Sequence, residues 1–254
     1  MTGGTLRPWL CPDWDAPDNV VALTTTRRGG SSSGGYADFN LADHVGDFPA
    51  SVQHNRARVR ELLGGRLEFQ WLEQVHGTQV VQAQRGGGIQ RADAVFTTKP
   101  DLVCCVLTAD CLPVFLAARK GDAVAVAHAG WRGLAAGVLE NTVASFPAPD
   151  DEIIAWLGPA IGPCHFQVGT EVREAFLDSV GARLKTEFES CFVADSEPSR
   201  YRADLYRLAA LKLASSGIKV SGGGFCTYCE SDRFYSYRRQ QDTGRMASLI
   251  YLKS

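Results

Sequence analysis

Residues 108–134, TADCLPVFLAARKGDAVAVAHAGWRGL, set two reactive side chains, Cys111 and His128, in an otherwise apolar and glycine-rich stretch. Within it, DAVAVAHAG (122–130) reads as a strand, and its closing glycine leads toward GLAAGVLENTVASF (133–146), a small-residue run that predicts a helix. Working outward, FQWLEQVHGTQVVQA (69–83), LVCCVLTA (102–109) and EIIAWLG (152–158) also read as strands. Cys104 and Cys105 fall inside such an apolar run and are read as strand core. The spacing of Val52, Val59, Leu62 and Leu63 predicts a helix that Gly64 stops. Two further helical periods cover TEVREAFLDSVGARL (170–184) and ADLYRLAALKLASSG (203–217), and RMASLIYLK (245–253) reads as a closing strand. RRGGSSSGGYADFNLADHVGD (27–47) follows the strand-like VVALTTT and reads as a surface loop. Strands and helices interleave, which indicates a sheet protein of α/β or α+β class with helical cover. No repeat and no long polar linker divides the chain, so residues 1–254 are expected to form one domain.

Composition narrows the function classes. The 254 residues are 45% hydrophobic, enough for a sizeable core. With 26 basic against 28 acidic residues the net charge is −2, which argues against a general affinity for nucleic acid or an anionic membrane. No apolar run approaches the roughly 20 residues that span a bilayer, and the first residues lack the pattern of a secretory signal. A cytoplasmic location is therefore expected, in which the eight cysteines stay thiols and are available to metal.

Each suspicious side chain lies at a strand end or in the turn after it: His76 before Gly77, Cys111 after VLTAD, His128 before AGWRG. A lone buried cysteine is ordinarily core and a lone histidine a satisfied polar group. Together the three offer two imidazoles and a thiolate, a set suited to zinc or copper that leaves a fourth position for water or substrate. CTYC (226–229) has the spacing of a metal pair, but no second pair matches it, so it is not counted as a site. Cys164 and His165 are adjacent, and neighbours in a strand point to opposite faces, which keeps them from pairing with each other.

Five blocks carry a family resemblance: QVHGTQV (74–80), TADCLPV (108–114), HAGWRGL (128–134), GPAIGPCHFQVG (158–169) and FYSYRRQQDTGRMASLIYL (234–252). They closely resemble the YfiH/laccase-domain family, historically called multicopper polyphenol oxidases and later associated with purine nucleoside phosphorolysis. The resemblance runs from about Thr24 to Leu252. It implies an α+β fold of four layers, α/β/β/α, with a bifurcated mixed sheet. It also implies a zinc site made by His76, Cys111 and His128, residues that would serve catalysis as well. Adenosine and related nucleosides are the implied substrates, with adenosine deamination and methylthioadenosine phosphorolysis as further implied reactions. Peptidoglycan editing is another role named in the family, so a muropeptide precursor, met by a Cys-His hydrolase or a binding protein, is an alternative. Copper polyphenol oxidation is a third, disfavoured because a multicopper oxidase needs more than five histidines.

Phosphorolysis requires a cradle for phosphate, and arginine suits it because its planar fork meets oxyanions bidentately. Arg27, Arg28, Arg56, Arg132 and Arg245 are the candidates, with Arg28 and Arg132 favoured because each lies beside a glycine. Asn40 and Gln74 are candidates for ribose or base edges. Zinc deaminases add a non-ligand Glu in an H-x-E motif, which is missing here; Asp110 and Asp93 are the carboxylates near the motifs. The family block usually carries Glu where this chain has Gln167, and a catalytic role for that Glu would leave this chain impaired.

Overall fold

A computed structural model describes residues 9–147, 149 and 152–254. In chain order the first strands and helix are β1 (Trp9–Leu10), β2 (Val20–Thr25), α1 (Pro49–Leu62), β3 (Glu68–Gln70), β4 (Leu72–Glu73), β5 (Val80–Gln82), β6 (Gln90–Arg91) and β7 (Ala94–Thr97). The middle of the chain gives β8 (Leu102–Thr108), β9 (Leu112–Ala118), β10 (Val124–Ala129), α2 (Trp131–Ala136), α3 (Val138–Ala144) and β11 (Ile153–Leu157). β12 (Gln167–Gly169), α4 (Thr170–Asp178), α5 (Ala182–Glu189), β13 (Phe192–Ala194), β14 (Arg200–Ala203), α6 (Leu205–Ala214), β15 (Lys219–Gly222) and β16 (Met246–Leu252) complete it.

Two mixed sheets dominate. One has the order β1-β2-β16-β8-β3 and the other β15-β11-β9-β10-β7-β5, with β12-β14-β13 and β4-β6 as small additions. The alternation of side chains along each strand tells which layer it serves. In β8, Cys104 and Val106 share a core with Phe115, Ala117, Val124 and Val126 of the second sheet, so these faces pack sheet on sheet. Val103, Cys105 and Leu107 turn the other way, toward α1 through Val59. The opposite face of the second sheet, with Leu112, Val114 and Leu116, packs under the remaining helices. The layers run α/β/β/α, as the family resemblance implies. Every residue of β8, β9, β10 and β16 is buried, because both sheets are covered on both faces.

Several elements depart from the sequence reading. β9 was not expected as a strand: Pro113 argues against a central strand, yet it is tolerated at the second position, opposite His128. FQWLEQVHGTQVVQA is not one strand but β3, β4 and β5, broken by a turn at His76, whose φ is 58°. GLAAGVLENTVASF is split at Gly137, left-handed at φ 104°, into α2 and α3. TEVREAFLDSVGARL likewise divides into α4 and α5. The loop over residues 27–47 is only partly at the surface, since Phe39, Asn40, Leu41 and Ala42 are fully buried. Gly64 does stop α1, at φ 97°. Among the described residues, no helix is long and apolar enough to cross a membrane.

Candidate metal centre

β8 belongs to one sheet and β9 to the other, so the turn at Ala109–Cys111 carries the chain between them. Thr108 and His128 continue the alternation of Val106 and Val126, which face the layer between the sheets. The mouth of that layer is where the site forms. Asp110 holds the crossing turn: it is left-handed at φ 88°, and its carboxylate accepts from the Thr227 hydroxyl at 2.6 Å and from the Arg238 amide at 2.6 Å.

One buried carboxylate organises both histidines. Asp93 accepts the amides of His76 at 2.9 Å, Gly77 at 2.6 Å and Val75 at 3.2 Å, which shapes the strained His76 turn. The same carboxylate lies 2.8 Å from Nδ1 of His128. Burial opposes the ionisation of Asp93, but the His128 bond and the amides of Gly77 and Val75 outweigh it and hold the carboxyl below its usual range. As a carboxylate it only accepts, so Nδ1 of His128 carries the proton and Nε2 is left for a ligand. Gly133 lets α2 lie against this turn: a Cβ there would stand 2.6 Å from the Gly77 carbonyl oxygen.

The donor atoms of His76, Cys111 and His128 all lie within 4.8 Å of one another. Cys111 Sγ is 3.8 Å from His76 Nε2, close to the roughly 3.6 Å that separates nitrogen and sulfur ligands around a tetrahedral zinc. Gly130 keeps the space between them open, since a Cβ there would fall 2.8 Å from His76 Cδ2 and 3.1 Å from Cys111 Sγ. Burial resists a charge on Cys111, but the His128 imidazolium and hydrogen bonds from both histidines overcome it and bring the thiol down to about 6. His128 moves the other way: burial disfavours its cation, while Cys111 and Asp93 raise it above the ordinary imidazole range. The donor set, its spacing and the carboxylate behind His128 fit a borderline-soft divalent metal.

This centre forms the floor of a pocket of about 600 Å³. Arg132, Arg238 and Arg245 line it, and Asp110 is the lone carboxylate among the described lining residues. Arg132 stacks on Trp131 with its guanidinium 4.3 Å from the ring centroid. Arg245 rests on the carbonyls of Thr243 and Gly244, and Arg238 on that of Gln167. Trp131, Phe166 and Tyr237 supply aromatic walls. Thr108 also lines the pocket, and its hydroxyl is buried without a hydrogen-bond partner.

Of the residues expected from sequence, His76, Cys111, His128, Gln74, Asp110, Arg132 and Arg245 come together here. Gln74 reaches the wall with its amide already engaged, donating to the Leu107 carbonyl and accepting the Leu107 amide. Arg28 is not in the pocket: it binds the Asp232 carbonyl at 2.7 Å and its carboxylate at 3.5 Å near the surface. Asn40 is not there either. It is fully buried and saturated by Ala42, Asp47 and the Arg245 amide, holding the loop together. Arg27 and Arg56 are likewise spent on backbone carbonyls. Gln167 lies outside the pocket and offers its amide to Asp195 and Glu197, where a Glu would meet like charge. Arg238, Trp131, Tyr237 and the unpartnered Thr108 were missed; SYRR in the closing block was the nearest signal.

Residues 21–253 match the family described as multi-copper polyphenol oxidoreductase laccase. A Pseudomonas aeruginosa protein named purine nucleoside phosphorylase is 50% identical over 249 residues, covering 98% of this chain and 100% of the relative. Escherichia coli purine nucleoside phosphorylase YfiH is 47% identical, over 96% of this chain and 98% of its own length. Among solved structures, a Neisseria meningitidis protein superposes with a TM-score of 0.91 at 45% identity, covering 98% of this chain and 100% of that one. YlmD from Geobacillus stearothermophilus gives 0.88 at 30% identity, over 99% and 98%.

Proposed function

The chain belongs to the multi-copper polyphenol oxidoreductase laccase family, and from that premise we propose that it is a purine nucleoside phosphorylase acting at the Cys111 pocket. The observation that carries this reading is the convergence in one cavity of three arginines, one carboxylate and three aromatic walls upon the His76–Cys111–His128 centre. The names of relatives at 47% and 50% identity point to the same reaction.

In that reaction a phosphate oxygen bonds to the anomeric carbon of the ribose, the glycosidic bond breaks, and its electron pair leaves with the purine, which takes up a proton. Arg132, Arg238 and Arg245 hold the phosphate and balance its charge as the ribose becomes cationic. The Trp131, Phe166 and Tyr237 rings take the faces of base and sugar. His76, Cys111 and His128 would hold a zinc ion, whose chemistry when bound is Lewis-acid polarisation of a coordinated group. Two imidazoles and a thiolate are a borderline-soft set that favours zinc where free copper is scarce.

Adenosine is the proposed substrate class representative, with deamination the lesser reaction. Asp110 has both oxygens engaged and Asp93 is committed to the histidines, so the described pocket residues supply no free carboxylate for a deaminase acid. The test is product analysis on adenosine with and without inorganic phosphate. Adenine and ribose 1-phosphate in equal amounts, dependent on phosphate, are expected. Inosine formed at the same rate without phosphate would replace phosphorolysis by deamination.

A further inference from the structure

We infer that His165, Cys226 and Cys229 form a second metal site, separate from the Cys111 centre, that takes one zinc-class divalent ion and clips together two segments of the pocket wall. CTYC alone lacked a partner pair in the sequence. The fold supplies the missing ligand as a histidine 61 residues upstream of Cys226.

The geometry points to a ligand set. The three donor atoms lie within 4.8 Å of one another. His165 Nδ1 stands 3.3 Å from Cys229 Sγ and 3.9 Å from Cys226 Sγ. Those distances bracket the roughly 3.6 Å between nitrogen and sulfur ligands of a tetrahedral zinc. The imidazole is held with Nδ1 toward both sulfurs by stacking on Tyr228, 4.1 Å between centroids at 13°. The amide of Gly162 donates to Cys226 Sγ from 3.3 Å, which fixes where that sulfur sits. The cysteine turn is closed independently, by the Glu230 amide on the Cys226 carbonyl and the Glu230 carboxylate on the Cys226 amide. Neither Cys226 nor Cys229 is in a disulfide. Cys229 is exposed and the other two half-buried, which leaves a fourth coordination position to water or to the neighbouring Cys164 thiol.

The place of the site gives it a task. One tethered segment carries Ile161 and Phe166 into the pocket, and the other carries Tyr237 and Arg238. Between the two cysteines, Thr227 donates its amide to the Ala160 carbonyl at 3.0 Å and its hydroxyl to Asp110 beside Cys111. An ion here fixes the wall against the crossing turn without touching substrate, which is a positioning role.

The test uses the full chain in a Cys111→Ala background, where the first centre is disabled, so failure here is distinct from failure of the proposed function. Reduced, metal-free protein is titrated with Zn²⁺ alone against a chromophoric chelator, and with Co²⁺ alone while thiolate-to-cobalt absorption is followed. One equivalent is expected in the Cys111→Ala protein. A further Cys229→Ser change, at an exposed position, should weaken binding roughly tenfold or more and lower the charge-transfer band, and His165→Ala should do the same. Circular dichroism confirms that these variants fold. Absence of any bound equivalent in the background, or an equivalent that Cys229→Ser and His165→Ala leave unchanged, overturns the site. So does a Cys226–Cys229 disulfide in freshly purified, unreduced protein.

Discussion

Nδ1 of His128 lies 2.8 Å from Oδ1 of Asp93, and both side chains are buried. That pair sets the tautomer of one ligand, while the same carboxylate ties down the turn that presents His76. The centre is thus built backward from Asp93, a residue that would touch neither metal nor substrate.

Replacing Asp93 by Asn keeps its shape but removes the charge that orients His128 and caps three amides. Metal affinity should fall about 10–100-fold, the usual effect of losing such a partner. Competition with a chelator measures it. Unchanged affinity would show that His128 needs no orienting carboxylate.

Gly130→Ala tests the space between the ligands. Its methyl would meet His76 and Cys111 at 2.8 and 3.1 Å. The variant should fold, by circular dichroism, yet lose stoichiometric metal at the first centre. Retention of that metal at wild-type affinity would mean the ligands move aside freely.

Arg132→Ala and Arg238→Ala should each raise the KM for phosphate about tenfold or more, the scale of one lost charge-assisted hydrogen bond, with a smaller change for nucleoside. Arg28→Ala, outside the pocket lining, should leave both constants in place. Steady-state kinetics with each substrate varied separates these outcomes, and a phosphate defect confined to Arg28→Ala would reverse the assignment.

Thr108→Val removes a hydroxyl that finds no partner among the described residues. If substrate uses it, KM should rise several-fold, in line with roughly 0.5–1.5 kcal/mol for a neutral hydrogen bond, while the protein melts no lower. Unaltered kinetics with a higher melting temperature would mark the hydroxyl as an unused cost of burial.

The sequence made the centre more legible than its surroundings. His76, Cys111 and His128 stood out because their chemistry is scarce and each lies at a strand end or in the turn beside it. The cradle was obscure for a different reason. Arg28 and Arg132 both sit beside glycines, and only tertiary folding shows that Arg28 is spent on Asp232 while Arg132 stacks on Trp131 at the pocket. Asn40 lay in a polar, glycine-rich stretch, yet the adjacent Phe39 and Leu41 draw it into the core. The four layers were harder still from periodicity, because strands buried on both faces show no alternation. Pro113 then hid β9 altogether.

Metal-free protein should show an unusual pH profile. The Cys111 thiol is held down to about 6: burial works against this, and the His128 cation with bonds from both histidines prevails. The thiolate fraction grows as pH rises, so alkylation should be half-maximal near pH 6 and flat above pH 7. Peptide-resolved mass spectrometry reads it, and an inflection near 9 would show that the histidines do not stabilise the thiolate.

The most direct measurement follows Cys111 labelling by iodoacetamide together with phosphorolysis, in protein purified without added metal and again after chelation and zinc return. As a ligand, Cys111 should label slowly in the native protein, quickly after chelation, and slowly once more when zinc restores activity. Rapid labelling of metal-free native protein that stays fully active until Cys111 is modified would contradict the metal centre and make Cys111 a nucleophile.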